Sequence, residues 1–196
     1  ISNTPNGLNI NENCGSTHIE NIKAKVIAEK ADIGIAHDGD ADRVLAIDSE
    51  GNEIDGDFIL AILADAQMRN GGLTSKTVVG TVMTNLGFIR AMESKGIKVA
   101  TTPVGDRYVL EKMIAENHTL GGEQSGHIIM RDFANTGDGA LTALHLLQEL
   151  ATSKKSLRDL AKIMVRYPQV LINVAGVDKA KVSSNSAIAA GVTAAE

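Results

Sequence analysis

Residues 77–100 read TVVGTVMTNLGFIRAMESKGIKVA and contain a complete strand–helix–strand pattern. The β-branched and apolar run at 77–82 is typical of a buried strand. Asn85 stands where the N-cap of a helix is expected, and Gly96 stands where that helix should end. A second apolar run begins at Ile97, so this stretch predicts a β-α-β unit with two parallel strands.

The same alternation of strands and helices continues on both sides of this unit. Before it, apolar runs at 33–35 and 44–47 predict two strands that flank an acidic loop. After it, residues 127–130 and 170–174 predict two further strands. Helical spacing of apolar residues predicts helices at 19–30, 57–68, 106–116, 137–150 and 156–164, the last capped by Ser156. The sequence therefore predicts an α/β layered fold with a largely parallel sheet.

Composition excludes several classes of protein. The 196 residues have a net charge of -5, which argues against a protein that binds nucleic acid by neutralising its phosphates. A single cysteine, Cys14, excludes an internal disulfide framework and a multi-cysteine zinc site. No apolar run reaches the roughly 18 residues that a membrane span needs. The chain starts with Ile1 instead of Met, so we expect a fragment or a processed product.

The acidic loop DGDADR at residues 38–43 is the sharpest chemical signal in the sequence. The carboxylates of Asp38, Asp40 and Asp42 alternate with two small residues, which let a loop fold tightly enough for three oxygens to converge. Oxygen-only ligands favour a hard cation such as Mg²⁺ or Ca²⁺. Arg43 adds a planar cation beside them, which suits a phosphate group. The loop therefore predicts a metal site next to a bound phosphate.

Other interpretations of this loop fit less well. A helix–loop–helix calcium site needs Gly at its sixth position and Glu at its twelfth, where this loop has Arg43 and Ser49. A haloacid-dehalogenase-type phosphatase, with Asp40 as nucleophile and Asp42 as general acid, matches part of the loop. That alternative leaves the glycine-rich stretch at 121–127 unexplained. A module that only binds metal or sugar, without catalysis, stays open.

The second signal is the glycine-rich stretch GGEQSGH at residues 121–127. Glycines permit tight turns and the close approach of a ligand. Glu123 and Ser125 are two residues apart, so in an extended stretch they point the same way and offer acceptors and a donor to neighbouring sugar hydroxyls. His127 adds a group that can donate a hydrogen bond or transfer a proton.

The third stretch, VGDRY at residues 104–108, lies between the other two motifs. Asp106 is the expected N-cap of the following helix, and Arg107 is then an exposed residue of its first turn. On these residues alone, a structural role is favoured over a chemical one.

Together, the three motifs resemble those of the α-D-phosphohexomutase family. DGDADR is similar to the family's metal-binding loop, and GGEQSGH, about 80 residues later, is similar to its sugar-binding loop. TPVGDRYVLEK at 102–112 is similar to the loop of its third domain, and the resemblance extends from NGLNINENCGSTH at 6–18 to near Leu150. It is greatest to bacterial members that act on glucosamine phosphate. It implies a three-layer α/β/α domain with a mixed, mostly parallel sheet, preceded by part of another domain.

The resemblance also implies an activity and its residues. The family moves a phosphoryl group reversibly between positions 1 and 6 of a hexose or hexosamine phosphate, through a phosphoserine and a 1,6-bisphosphate. For a glucosamine enzyme this is a step towards UDP-N-acetylglucosamine and cell-wall precursors, whereas mannose or glucose phosphate stays open as the substrate. Mg²⁺ would be held by Asp38, Asp40 and Asp42, and Arg43 would contact the phosphate. The implied substrate-binding residues are Gly105, Asp106, Arg107, Glu123, Ser125 and His127.

A domain organisation follows from the same resemblance. Residues 1–52 would end the family's second domain, 53–165 would form the third, and 166–196 would be a linker and the start of a C-terminal domain. The family's phosphoserine motif and its Arg–Ser–Gly–Thr phosphate clamp have no counterpart in this sequence. We therefore expect the chain to bind metal and sugar without catalysing alone, with the missing domains as its partners. The expected location is the cytoplasm, and a homodimer stays open.

Overall fold

The acidic loop joins two strands of a small antiparallel sheet. In this computed structural model, helix α1 (Glu20–Glu29) leads into strand β1 (Ile33–His37), which pairs antiparallel with β2 (Val44–Asp48). A two-residue strand, β3 (Glu53–Ile54), pairs with the other edge of β2. The structure describes residues 1–170, 176–182 and 184–195.

A second, four-stranded sheet carries the other two motifs at the carboxyl ends of two of its parallel strands, β5 and β6. Its strands are β4 (Thr77–Thr81), β5 (Lys98–Thr102), β6 (Leu120–Gly122) and β7 (Ile128–Met130), in the spatial order β5-β4-β6-β7. Strand β4 is parallel to β5 and β6, whereas β6 and β7 are antiparallel. Its helices are α2 (Gly56–Asn70), α3 (Leu86–Ser94), α4 (Asp106–Ala115), α5 (Gly139–Ser153) and α6 (Leu157–Ala161), and α7 (Lys179–Val182) and α8 (Ser186–Ala195) follow them.

Helices cover both faces of the four-stranded sheet. Val78 and Ile128 face the cluster that includes α2, whereas Val79 and Ile129 face the opposite side. On that opposite side they pack against Met113 and other apolar residues of α4. Alternate residues of a strand point to opposite faces, so this sheet is the middle layer between helices. The predicted α/β/α layering with a mixed, mostly parallel sheet is confirmed.

Helix α2 packs between the two sheets. Residues 56–64 are all buried, which is typical of a helix that contacts neighbours on most of its circumference. The same hydrophobic cluster contains Ala46 and Ile54 of the small sheet, and Leu120 and Met130 of the large sheet. The two sheets, and the loops that they carry, therefore share one core.

Side-chain caps fix where several helices begin. Asn85 and Ser156 accept hydrogen bonds from the first backbone N–H groups of α3 and α6, as predicted. Asp138 caps α5 in the same way. The predicted cap at Asp106 is wrong. Gly105, with a φ of 132°, takes the N-cap position, and Asp106 is the first residue of α4.

Some elements differ from the sequence-based expectation because they depend on tertiary pairing. Strands β3 and β6 are not predicted, since each is only two or three residues long and β6 reads LGG. The predicted strand at 170–174 lies outside the described residues apart from Val170, which belongs to no strand or helix. The predicted domain boundaries after residues 52 and 165 stay predictions. Among the described helices, none combines the length and apolar character needed to cross a bilayer.

Candidate functional site

The three carboxylates of the acidic loop converge. Asp38, Asp40 and Asp42 each offer one oxygen atom, and these oxygens all lie within 4.8 Å of one another. The loop closes on itself because the Ala41 N–H donates to the Asp38 carbonyl at 3.2 Å, with Ala41 in the left-handed region at a φ of 57°. Three hard oxygen donors at this spacing fit a divalent cation of the Mg²⁺ or Ca²⁺ type.

The electrostatics of the loop also fit a cation. Burial raises the pKa of the Asp42 carboxyl above its ordinary value, and the nearby charge of Asp38 raises this pKa further. Arg43 offsets part of the repulsion, because its Nε lies 3.6 Å from Asp38 Oδ2 and 3.8 Å from Asp42 Oδ1. One guanidinium beside three carboxylates leaves an excess of negative charge, which a divalent ion would neutralise.

The N-terminus of α5 contacts the backbone of the acidic loop. The Gly139 N–H donates to the Ala41 carbonyl at 2.8 Å, and a Cβ at Gly139 would collide with the carbonyls of Ala41 and Arg43. His37 immediately precedes the loop in the sequence. Its Nδ1 atom lies 3.0 Å from the carbonyl oxygen of Arg43. His37 therefore contacts the loop backbone and is not part of the carboxylate cluster.

The motif GGEQSGH forms a turn between β6 and β7. The Gly126 N–H donates to the Glu123 carbonyl at 3.0 Å, and Gly126 has a φ of 93°. The extended conformation expected for Glu123 and Ser125 is therefore wrong, although both residues line the same cavity. Glu123 also connects this turn to the third motif, because its Oε1 accepts a hydrogen bond from the Gly105 N–H at 3.0 Å.

His127 lies where the three motifs meet. It is buried, and its Nε2 lies 3.5 Å from Asp42 Oδ2 and 4.0 Å from Asp106 Oδ2. A backbone bridge pairs His127 with Arg43, so the turn and the acidic loop are also joined through the main chain. The backbone of Gly137 packs directly against the imidazole ring, because a Cβ at Gly137 would overlap that ring.

One cavity of about 460 Å³ opens between the three motifs. Seven of the predicted site residues line it, namely Asp42, Arg43, Gly105, Asp106, Glu123, Ser125 and His127. Arg107 does not line it; its side chain is exposed and pairs with Glu111 at 2.7 Å. Sequence reasoning missed the lining residues Thr81, Met83, Val104 and Gln124. The position of Thr81 at the carboxyl end of a predicted parallel strand is the signal that could have found this wall.

A larger cavity, of about 750 Å³, lies on the other side of the acidic loop. It is bounded mostly by residues 1–22 and β1, and it reaches Asp38 and Gly39. None of the residues of the glycine-rich stretch at 121–127 lines it. The smaller cavity therefore is the candidate site, because it brings Asp42 and Arg43 of the acidic loop together with the other two motifs, whereas Asp38 and Asp40 do not line it.

Comparison with known proteins identifies the family. The family model described as phosphoglucomutase/phosphomannomutase, alpha/beta/alpha domain III, matches residues 55–167, more than half of the chain. The chain belongs to the phosphoglucomutase/phosphomannomutase family. The resemblance drawn from the three motifs is thereby confirmed, and the haloacid-dehalogenase-type alternative is left without support. The matched region, residues 55–167, contains the turn at 123–126 and the stretch at 104–108. The acidic loop lies before this region in the chain.

Relatives in the family extend the similarity over the whole chain. The chain is 58% identical over 192 residues to a phosphoglucosamine mutase of Streptomyces griseus, which covers 98% of this chain and 42% of that protein. It is 59% identical over 179 residues to a phosphoglucosamine mutase of Cutibacterium acnes, covering 91% of this chain and 40% of that protein. The chain thus spans about two-fifths of the length of these curated relatives.

Solved structures of the family share the fold. A phosphoglucomutase/phosphomannomutase family protein from Burkholderia thailandensis matches with a TM-score of 0.67 and 26% identity, over 80% of this chain and 33% of that one. An N-acetylphosphoglucosamine mutase of Aspergillus fumigatus, solved in complex with GlcNAc-6P and magnesium, matches with a TM-score of 0.61 and 20% identity, over 81% of this chain and 38% of that one.

Proposed function

We propose that this chain carries the metal-binding and sugar-binding loops of a phosphoglucosamine mutase. Such an enzyme interconverts glucosamine 1-phosphate and glucosamine 6-phosphate through a phosphoserine and a 1,6-bisphosphate intermediate. The observation that carries the proposal is the single cavity in which the acidic loop and both other motifs meet around His127. The identities of 58% and 59% to two enzymes of that name support this choice within the family.

The acidic loop is the proposed Mg²⁺ site. The carboxylates of Asp38, Asp40 and Asp42 would hold the ion, because their oxygens already lie within 4.8 Å of one another. When bound, Mg²⁺ supplies positive charge that stabilises a phosphoryl group during transfer. Arg43 lines the cavity with a side chain that is 44% exposed, so its guanidinium would bind the oxygens of that phosphate.

The turn at residues 123–126 is the proposed sugar-binding loop. Glu123 has one carboxylate oxygen fixed by the Gly105 N–H, and its other oxygen would accept a hydrogen bond from a sugar hydroxyl. Ser125 would bind a neighbouring hydroxyl. The exposed carboxylate of Asp106, at the rim of the same cavity, suits the cationic amino group of glucosamine. Arg107 would have to leave Glu111 to reach the ligand.

We place the phosphoserine in the part of the relatives that this chain does not cover. Each relative is more than twice as long as the matched region, since that region is 42% of the Streptomyces griseus enzyme. On this proposal the chain binds Mg²⁺ and glucosamine phosphate weakly on its own and does not turn it over. Its catalytic partners are the remaining domains of the same enzyme.

Metal binding is testable on the chain itself. Added Mg²⁺ should raise the melting temperature by mass action, because only the folded loop brings the three carboxylates together. Asp40→Asn should abolish the increase, since it removes one ligand charge. The matched control is Asp32→Asn, an exposed aspartate outside the loop, which should respond to Mg²⁺ like the unaltered chain. An equal increase in both variants would contradict the assignment.

The activity is testable in a chimera. The 192 aligned residues of this chain would replace the matching part of the Streptomyces griseus enzyme, and the conversion of glucosamine 1-phosphate to the 6-phosphate would be assayed with Mg²⁺. We expect turnover with the amino sugar in preference to mannose 1-phosphate or glucose 1-phosphate. Asp40→Asn should lower kcat by about 100-fold or more, because charge stabilisation of the transition state is lost, whereas Asp32→Asn should not. A folded chimera that prefers mannose 1-phosphate would overturn the substrate assignment.

A further inference from the structure

Residues 165–169, named here the strap, lie across the first turns of α2 and α3. The strap is held at Tyr167, whose N–H donates to Asn85 Oδ1 at 3.0 Å and whose carbonyl accepts from Asn85 Nδ2 at 2.9 Å. Asn85 is buried, and a Cβ at Gly87 would overlap the Val165 carbonyl. The strap is therefore fixed to α3 through its capping residue, although residues 165–169 themselves are exposed.

Arg166 connects the strap to the start of α2 and to the sugar-binding turn. Its guanidinium donates to Asp55 Oδ2 at 2.7 Å and stacks over the ring of Phe58, with Cζ 5.4 Å from the ring centroid. Gln124 Nε2 approaches the same Asp55 oxygen at 3.5 Å. Asp55 is buried, and its other oxygen caps α2. One carboxylate therefore links Arg166, Gln124 and the helix N-terminus.

The first turn of α2 in turn fixes the backbone of the sugar-binding turn. The Gly56 N–H donates to the Gln124 carbonyl at 3.0 Å. A Cβ at Gly56 would overlap the carbonyls of Glu123 and Gln124, so the two backbones are in direct contact. A shift of Asp55 would therefore move residues 123–126, which form one wall of the cavity.

The strap also reaches the opposite wall. Gln169 Nε2 donates to the Met83 carbonyl at 2.9 Å, and Met83 lines the cavity. Within the same loop, the Thr84 N–H donates to the Thr81 carbonyl at 3.0 Å. Gln169 thus contacts one wall of the cavity directly, whereas Arg166 reaches the other wall through Asp55 and Gln124.

We infer that the strap positions both walls of the sugar-phosphate cavity, with Arg166 acting through Asp55 and Gln124, and Gln169 acting through the carbonyl of Met83. Both are positioning residues, since neither lines the cavity. The inference rests on the proposed function only for the identity of the ligand. The contacts between strap and walls do not depend on it.

Native-state hydrogen exchange on the full 196-residue chain tests the inference. Arg166→Gln should speed exchange of the Gly56 and Gly126 amides about tenfold, because a charge-assisted bond that holds the turn is lost. The Lys98 amide, which donates to the Lys76 carbonyl at the far end of β4, should not change. A purely global destabilisation would speed hydrogen exchange at all three amides by the same factor. Arg166→Lys, which keeps the cation, should restore part of the protection.

Arg158→Gln is the matched control, because Arg158 pairs with the exposed Glu50 outside the strap. If Arg166→Gln does not fold, Gln169→Ala provides the test at the other wall and should speed exchange of the Thr84 amide selectively. The inference is overturned if the turn and wall amides exchange as in the unaltered chain, or if Arg158→Gln changes them equally.

A ligand titration separates this inference from the proposed function. Glucosamine 6-phosphate, followed through the Ser125 amide resonance, should bind Arg166→Gln about tenfold more weakly than it binds the Arg158→Gln control. An unaltered chain that binds no glucosamine 6-phosphate counts against the proposed function. The exchange result would then still decide whether the strap positions the walls.

Discussion

Asp57 is a fully buried carboxyl in the first turn of α2, and its two oxygens differ in their hydrogen bonding. Its Oδ2 accepts from the Asn85 N–H at 2.8 Å, whereas its Oδ1 has no partner among the described residues. Burial raises the pKa of Asp57 to about 7, and the charge of Asp55 adds to the effect, although the Asn85 hydrogen bond opposes it. Asp57 is therefore protonated in the native state at pH values where an unfolded chain has lost that proton.

This raised pKa predicts a pH-dependent stability. The unfolded carboxyl titrates at about pH 4, and the native one at about 7. Between these values the native state binds more protons, so the free energy of unfolding falls as pH rises and levels off above pH 7. The total contribution is about 4 kcal/mol at most. Asp57→Asn should remove this fall, as measured by urea denaturation between pH 4 and 8.

Asp32→Asn is the control for that measurement, because Asp32 is exposed and the substitution changes the charge equally. Other carboxyls also titrate in this range, so the informative quantity is the difference between variant and unaltered chain at each pH. A difference between Asp57→Asn and the unaltered chain that stays constant with pH would contradict the raised pKa of Asp57.

The acidic residues of the candidate site could be predicted from the sequence because their signal is local. Asp38, Asp40 and Asp42 are close in the chain, and a short loop of small residues keeps them close in space. Met83, from a loop that follows β4, lines the cavity together with Asp42, and its immediate sequence neighbourhood does not indicate this. Its position depends on how β4 and β6 pair, which a single sequence does not specify.

Helix α5 links capping to the candidate metal site. Asp138 Oδ1 accepts from the Leu141 N–H at 2.8 Å, and the next residue, Gly139, donates to Ala41 of the acidic loop. Asp138→Ala should lower the free energy of unfolding by about 1 kcal/mol, since the first turn of α5 loses its cap. Asp138→Asn keeps an acceptor oxygen and should cost only a few tenths of a kcal/mol. Urea denaturation at one pH measures both.

Ser156→Ala provides the comparison for this helix, because it removes the cap of α6, whose first turn is outside the acidic loop. It should cost a similar free energy while leaving Mg²⁺ affinity unchanged, whereas Asp138→Ala should also weaken Mg²⁺ binding. Equal stability of Asp138→Ala and Asp138→Asn would show that the cap contributes nothing.

At the scale of elements, both site loops join antiparallel strand pairs that follow a helix. The order α1-β1-β2 carries the acidic loop, and the order α4-β6-β7 carries the turn at residues 123–126. The sequence predicts the first pair because each of its strands contains an apolar run, at 33–35 and at 44–47. It predicts only β7 of the second pair, because β6 has two glycines and is defined by its neighbours β4 and β7.

At the scale of the whole molecule, the site exists only because the two sheets are held together. The Val44 N–H of the small sheet donates to the Gly126 carbonyl, in the turn between β6 and β7, at 3.1 Å. A Cβ at Gly126 would overlap the Val44 carbonyl, so no side chain separates the two backbones. The sequence predicts strands in both sheets, but this close approach is a long-range contact that only the folded core specifies.

The shared core predicts that both sheets unfold in one step. Ile59 of α2 is fully buried in the cluster that contains residues of β2 and β4. Ile59→Val should lower stability by about 1 kcal/mol, and native-state hydrogen exchange should show the same loss at the slowest amides of β2 and of β4. Leu144→Ala, at an exposed position of α5, should change neither strand. If the loss appears in β2 and not in β4, each sheet unfolds independently, and the cavity between them opens without global unfolding.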